Sequence, residues 1–162
     1  MAEIGSNAQA ALNYCLRKIN TRLRSTHELT QALERRGTEA DVISSVMVEL
    51  QEIGLLDDTQ YARAWVHTRD RLAPRGATLL RMELLQKGIA KEIIGLVLAE
   101  RANEAADDEA EQPSEEQLAR DLLDGKMRQY AHLDSATRTR RLTALLMRRG
   151  FSYEVARRIL NP

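Results

Sequence analysis

The sequence has little of several things that define whole classes of protein. It contains one cysteine, so a disulfide framework is excluded and a reducing, cytoplasmic setting is the simplest expectation. Aromatic residues make up only 4 %, so we expect a core of leucine, isoleucine, valine, alanine and methionine. No apolar run reaches the roughly 18 residues of a membrane span, and the first residues lack a signal-peptide profile. We therefore expect no membrane partner and no export.

The net charge is zero, but the charges are unevenly distributed. Residues 103–116 carry seven carboxylates and no lysine or arginine, which is typical of a solvated linker or of an interaction tail. Of the 24 basic residues, 20 are arginine and four are lysine. The guanidinium fork suits phosphate and carboxylate, although a GC-rich coding sequence also explains an excess of arginine.

A helical unit occurs three times along the chain. Gly37, Gly88 and Gly150 are each preceded by leucine at minus eight and minus four, and followed by apolar residues at plus five, six, nine and ten. Leucines four apart lie on one helix face, and glycine is the usual residue just past a helix end. The later offsets have a period near 3.6, which predicts a second amphipathic helix. Ala11 and Ala62, each 26 residues before its glycine, mark an earlier helix.

The repeat predicts an all-α fold of three tandem three-helix repeats, about nine helices, that form an elongated, curved stack. We place repeat 1 at residues 8–56, repeat 2 at 57–102 and repeat 3 at 117–161, with 103–116 as an acidic linker. No segment alternates apolar and polar residues as a strand does.

Several side chains are expected to begin helices. Ser25 and Glu28 form a capping box, in which serine accepts from the amide of residue 28 and the glutamate reaches back. Thr38 and Ser152 follow repeat glycines and can cap the next helix. Asp57 places negative charge where the helix dipole favours it.

One ordered set of residues is more specific than the repeat itself. Its members are Gly54, Leu55, Leu56, Asp57, Asp58, Tyr61, Ala62, Arg69, Gly76, Glu83, Leu84, Lys87, Gly88 and Ile89, with Arg24, Ser25, Glu28, Leu29, Leu33 and Gly37 before them and Arg148, Arg149, Gly150, Phe151 and Val155 after them. Their order and spacing resemble the signature of the RecX family, bacterial regulators of the RecA recombinase, over about residues 10 to 160.

The resemblance implies a negative modulator and not an enzyme. RecX-like proteins bind RecA–single-stranded DNA filaments, lie along the filament groove and reduce ATP hydrolysis and strand exchange, which regulates recombination, DNA repair and the SOS response. The resemblance implies a RecA filament as partner and a monomer. The spread of arginine and the low aromatic content predict weak binding of single-stranded DNA without sequence preference, and we expect no cofactor and no metal.

We expect the motif residues to have mainly structural roles. The apolar members of the motif lie on helical stripes and are expected in the core: Leu55, Leu56, Tyr61, Trp65, Leu80, Leu84 and Ile89. The two aspartates at 57 and 58 are expected to cap a helix, because no histidine or carboxylate stands at ligand spacing from them.

Basic residues are the candidates for contact with the filament or with DNA. They fall into three clusters: Arg17, Lys18, Arg22 and Arg24; Arg69, Arg71, Arg75, Arg81 and Lys87; and Arg138, Arg141, Arg148 and Arg149. Such charges at intervals on a concave stack can follow a phosphate backbone, and a solvated helix surface is the alternative. Lys18, Arg69 and Lys126 occupy the same place in their units, where they either complement a helix dipole or line one continuous surface.

Other classes of function fit the sequence less well. An enzyme is rejected, because the three histidines are scattered, Cys15 has no partner and no phosphate-binding glycine loop is present. A transcription factor is disfavoured, because the helices after the glycines carry few side chains that read bases. The remaining alternative is a non-specific nucleic-acid-binding or protein-scaffolding helical repeat protein.

Overall fold

The computed structural model describes residues 2–104 and 113–160. Within these ranges the chain forms nine helices and no strand. They are α1 (Ala2–Ile19), α2 (Thr26–Glu34), α3 (Ala40–Glu52), α4 (Asp58–Leu72), α5 (Ala77–Gln86), α6 (Lys91–Glu104), α7 (Glu115–Met127), α8 (Ser135–Arg148) and α9 (Tyr153–Leu160). The predicted all-α class is confirmed.

Each set of three consecutive helices encloses its own apolar core. The largest fully buried side chains are divided among these cores: Leu29, Leu33, Val46 and Leu50 in the first, Leu80, Leu84 and Ile94 in the second, and Leu118, Leu142, Leu146 and Phe151 in the third. Leucine therefore supplies most of the bulk that the scarce aromatic residues do not. The three-helix repeat predicted from the glycine spacing is confirmed.

The repeat glycines end the second helix of each unit. Gly37, Gly88 and Gly150 have φ of 74°, 74° and 83°, in the left-handed region that glycine adopts without steric cost. In each case the N–H of the next residue donates at 3.1 Å to the carbonyl of the leucine four before the glycine: Thr38 to Leu33, Ile89 to Leu84 and Phe151 to Leu146. This is the Schellman arrangement. It explains why glycine and that leucine recur together.

The predicted capping box is half right. Ser25 begins α2 and its Oγ accepts from the N–H of Glu28 at 3.2 Å. The Glu28 carboxylate does not supply the second half, because it binds the cationic groups of Arg22 and Lys87. In these bonds both partners are charged, whereas in a capping box the carboxylate accepts from an uncharged backbone N–H.

Of the other predicted caps, some are confirmed and one is wrong. Asp57 accepts from two N–H groups in the first turn of α4, and Ser152 accepts from the N–H of Val155. Thr38 is wrong as a cap, because α3 begins after Glu39 and has no side-chain cap bond. Thr38 belongs to the Schellman turn and therefore lies one residue before the N-cap position of α3, which Glu39 occupies.

Leu55 is the core prediction that the structure contradicts. Its side chain is 46 % exposed, whereas Leu56, Tyr61, Leu80, Leu84 and Ile89 are buried as predicted. Trp65, also predicted in the core, is half-buried at the edge of the second core. The chain reverses at Gly54, whose φ is 72°, and only the second of the two following leucines turns inward.

The first two units contact each other through hydrogen bonds made by residues at the start of α2. We call this contact joint 1. The Ser25 hydroxyl donates to the carbonyl of Lys87 at 2.7 Å. The N–H of Thr26 donates to Oδ1 of Asp58 at 2.8 Å. Asp58, predicted to cap its own helix, therefore caps a helix of the neighbouring unit.

The second and third units meet at joint 2, which uses the equivalent positions. The N–H of Gly76, the residue that begins α5, donates to the carbonyl of Arg149 at 2.9 Å. The N–H of Ala77 donates to Oε1 of Glu115, the first residue of α7, at 2.9 Å. In both joints the carbonyl acceptor is the residue before a repeat glycine. The repeat thus extends from the units to the contacts between them.

Candidate functional site

Tyr14 in α1 carries two cations over its aromatic ring. Lys18 Nζ lies 5.4 Å and Arg36 Cζ lies 4.4 Å from the ring centroid. A cation over the ring face is attracted by the quadrupole of the ring. The ring therefore holds one cation from its own helix and one from the turn after α2.

Trp65 in α4 repeats this arrangement in the second unit. Arg69 Cζ lies 4.4 Å and Lys87 Nζ lies 5.0 Å from the Trp65 ring. All three residues stand 51 positions after their counterparts around Tyr14, the same distance that separates the first two repeat glycines. The third unit has Leu122 at this place, so the paired cations over a ring belong to the first two units.

Glu28 joins the two groups across joint 1. Its carboxylate accepts from Arg22 at 3.0 and 3.2 Å, and from Lys87 Nζ at 3.1 Å. Burial on its own raises the pKa of Glu28. The hydrogen bonds from Arg22 and Lys87 outweigh burial and hold that pKa below its ordinary value. The carboxylate is therefore ionised at neutral pH and holds two cations.

Glu83 in α5 plays the matching part beside Trp65. Its Oε2 accepts from Trp65 Nε1 and from Arg69 Nε, each at 2.9 Å. Arg75 Nε lies 2.8 Å from Oε1 of the same carboxylate. Two cations again share one carboxylate, so the surface around joint 1 keeps a positive excess after these pairs form.

These groups form one continuous surface. Arg22 lines both a cavity of about 220 Å³ that Tyr14 borders and a cavity of about 330 Å³ that Trp65 borders. We define the joint strip as this surface, made of Tyr14, Lys18, Arg22, Arg36, Trp65, Arg69, Arg75 and Lys87 with the carboxylates of Glu28 and Glu83.

The larger of these two cavities is mainly apolar. It is lined by Arg22, Leu23, Tyr61, Ala64, Trp65, Thr68 and Arg69. The Tyr61 and Trp65 rings are stacked, with centroids 6.1 Å apart and an interplanar angle of 17°. Leu23 at its edge is 46 % exposed. This cavity is called the apolar slot below.

The other basic residues of the first two predicted clusters lie outside the joint strip. Arg24 is half-buried, and its guanidinium donates to the carbonyl of Lys18 and to the Thr21 hydroxyl, which braces the turn after α1. Arg17, Arg71 and Arg81 are exposed. The structure therefore gives Arg24 a bracing position and leaves the three exposed arginines as surface charges.

The third predicted cluster belongs to α8 and the turn that follows it. Arg141 Cζ lies 5.8 Å from the Tyr130 ring. Arg141 and Arg148 are exposed, whereas Arg138 and Arg149 are half-buried. The carbonyl of Arg149 accepts from the N–H of Gly76, the residue after Arg75, so one end of this cluster lies beside the Arg75 end of the joint strip.

Asp70 and Arg101 form a buried ion pair beside joint 2. Two guanidinium nitrogens of Arg101 each lie 2.9 Å from a carboxylate oxygen of Asp70, and one also donates to the carbonyl of Arg75 at 3.1 Å. Burial raises the pKa of Asp70, and the charge of Arg101 opposes that rise. The pair ties α4 and α6 to the turn that carries Arg75, and so positions part of the joint strip.

Sequence reasoning missed several members of the joint strip. Tyr14 and Arg36 were not candidates, and Glu28 and Glu83 had no functional role. The signal was present, because Tyr14 and Trp65, and likewise Arg36 and Lys87, share the 51-residue spacing of the glycines.

Over residues 2–104 and 113–160, no group of three or more histidine, cysteine, aspartate or glutamate residues is arranged to hold a metal ion. In the same part of the chain, no helix has both the length and the apolar character that crossing a membrane requires.

Three family models match this chain in order. They describe the first, second and third three-helix domains of RecX, and they match residues 11–50, 57–98 and 114–160. The chain is 36 % identical over 148 residues to the regulatory protein RecX of Mycolicibacterium smegmatis, covering 91 % of this chain and 76 % of that one. It is 38 % identical over 151 residues to that of Mycobacterium marinum, covering 93 % and 83 %.

Solved structures show the same fold. A crystal structure of a regulatory protein RecX superposes with a TM-score of 0.83 at 22 % identity, covering 99 % of this chain and 74 % of that one. That of RecX from Lactobacillus salivarius gives a TM-score of 0.81 at 23 % identity, covering 99 % and 96 %.

Proposed function

The chain belongs to the RecX family, and from that premise we propose that it restrains the RecA recombinase by binding RecA–single-stranded DNA filaments. The curated relatives are named regulatory proteins, which supports a regulatory role without catalysis. Bound along the filament, the chain would reduce ATP hydrolysis and strand exchange, and so regulate recombination, DNA repair and the SOS response.

The joint strip is the observation that carries this proposal. A filament that contains DNA is a long polyanion, and proteins that follow one place cations at intervals along it. Here the cations recur at the spacing of the repeat, in two consecutive units. Because aromatic rings and carboxylates already hold them, binding would cost little further side-chain entropy.

Direct binding of single-stranded DNA is proposed to be weak and without sequence preference. Guanidinium and ammonium groups contact phosphate, which carries no sequence information. Of the predicted sites outside the joint strip, those on α8 are proposed as secondary contacts, whereas the exposed Arg71 and Arg81 are proposed as solvated surface charges.

A RecA ATPase assay on single-stranded DNA, with this protein titrated in as a monomer, tests the proposal. Because a filament grows by addition of subunits, we expect inhibition at fewer modulators than RecA subunits. An ATPase rate that is unchanged at a one-to-one ratio would contradict the proposal.

A further inference from the structure

The apolar slot has a chemistry that a phosphate backbone does not need. Leu23, Tyr61, Ala64 and Trp65 supply hydrocarbon surface, in a cavity of about 330 Å³ that opens at the protein surface. Phosphates are bound by cations, and the cations of the joint strip are available without this cavity.

We propose that the apolar slot binds one large apolar side chain, such as leucine, carried by an acidic protein segment. Arg22 and Arg69 both line the slot. Each shares its carboxylate with a second cation, Lys87 in one case and Arg75 in the other. The surroundings of the slot are therefore positive, and the matching segment carries aspartate or glutamate on both sides of its apolar residue.

A nucleobase fits the slot less well. The edge of a base carries donors and acceptors that must be bonded when buried. The Trp65 N–H is already donated to Glu83, and the guanidinium groups of Arg22 and Arg69 are paired with Glu28 and Glu83. Of the two hydroxyls in the lining, that of Tyr61 is buried and that of Thr68 belongs to an exposed residue. A hydrocarbon side chain needs no such partners.

The acidic segment of this chain is not the occupant that we propose. Residues 104–112 read Glu-Ala-Ala-Asp-Asp-Glu-Ala-Glu-Gln, without a large apolar side chain. We therefore assign the slot to a segment of another protein.

Trp65 makes the test direct, because it is the one tryptophan of the chain and it borders the slot. The probe is a synthetic peptide with a central leucine flanked on both sides by aspartate and glutamate. We expect a saturable change in Trp65 emission on titration. A peptide with serine in place of the leucine should bind at least about tenfold more weakly, since it buries no large side chain.

A pair of matched variants locates the binding. Leu23→Asp places a carboxylate at the edge of the slot, and should abolish the response to the leucine peptide. Leu72→Asp makes the same change at a leucine that is 70 % exposed at the end of α4, and should leave the response intact. Thermal unfolding of both variants checks that the fold is retained.

Three results would overturn the proposal. They are equal affinity for the leucine and serine peptides, an unchanged response in Leu23→Asp, and a response of Trp65 to oligothymidylate but not to either peptide. The last would make the slot a nucleobase site. Because no RecA is present, failure here is distinct from failure of the filament proposal, which the ATPase assay decides.

Discussion

The N–H of Gly76 donates to the carbonyl of Arg149 at 2.9 Å, and this bond brings two units of the repeat into backbone contact. A Cβ at residue 76 would meet the backbone of Gly150. In joint 1 the equivalent bond comes from the Ser25 hydroxyl, which leaves room for a side chain. Joint 2 therefore depends on the absence of a side chain at one position.

We expect Gly76→Ala to destabilise the protein by about 1–3 kcal/mol, because the collision is with backbone that cannot rotate away. Gly95→Ala is the matched control. Gly95 lies within α6 with nothing within 4 Å of its Cβ position, so alanine there should stabilise by up to about 1 kcal/mol. Urea unfolding measures both, and equal stability of the two variants would contradict the close approach at joint 2.

Core packing is tested by two adjacent leucines of α5. Leu84 is fully buried and Leu85 is 41 % exposed. Leu84→Ala leaves a cavity and should lower the free energy of unfolding by about 2–5 kcal/mol. Leu85→Ala should change it by no more than about 0.5 kcal/mol. Comparable losses in both variants would mean that α5 does not present the face described.

The joint strip is tested by removing two of its lysines. Lys18→Ala with Lys87→Ala removes one ring-bound cation from each unit, and leaves Glu28 paired with Arg22. We expect inhibition of the RecA ATPase to weaken about tenfold, which corresponds to about 1.4 kcal/mol. Arg69 and Arg75 are less suitable, because both hold the carboxylate of Glu83.

The control for this variant is Arg71→Ala with Arg81→Ala. It removes the same total charge from exposed positions in the second unit, and should alter inhibition less than threefold or so, since exposed charges contribute about 0–1 kcal/mol each. If both double variants lose inhibition equally, binding is spread over the surface and the joint strip has no special role.

The features of the fold that could be predicted from the sequence are those that repeat along the chain or depend on residues close in sequence. Leu33, Leu84 and Leu146 were predicted on one helix face because each stands four residues before a repeat glycine, and the same spacing places their carbonyls in the Schellman turn. Glu28 was assigned a local capping bond, but a cation from 59 residues away competes for it. Which charged groups pair with each other depends on how the units pack together, and the helical periodicity of the sequence does not contain that information.

Leu55 illustrates the same limit on a smaller scale. Two neighbouring leucines after a glycine satisfy an apolar pattern equally well, and only the direction of the chain after Gly54 decides which is buried. The joint strip could be predicted from the sequence only in part. Its rings and cations repeat at a spacing that the sequence contains, whereas its carboxylates come from α2 and α5 without any repeat of their own.

The depressed pKa of Glu28 predicts a pH dependence of stability. Because its pKa is lower in the folded than in the unfolded protein, Glu28 contributes stability that is complete above the unfolded value, about 4.3, and is lost as the pH falls through the folded value. Glu28→Gln should be less stable than wild type at pH 7, and this difference should shrink below about pH 4 in urea unfolding. A difference that stays constant from pH 7 to pH 3 would show that the charge of Glu28 is not what stabilises joint 1.

Salt dependence separates direct DNA binding from recognition of a sequence. If lysine and arginine of the joint strip contact phosphates of a single strand, the logarithm of affinity should fall linearly with the logarithm of salt concentration, by about 0.7 per contact. Fluorescence anisotropy of a labelled oligothymidylate measures this slope. Lys18→Ala with Lys87→Ala should reduce it by about 1.4 if both lysines contact phosphate. The Arg71→Ala, Arg81→Ala control should leave it nearly unchanged. A preference for one duplex sequence that survives high salt would instead favour readout of base edges, and would place DNA recognition outside the joint strip.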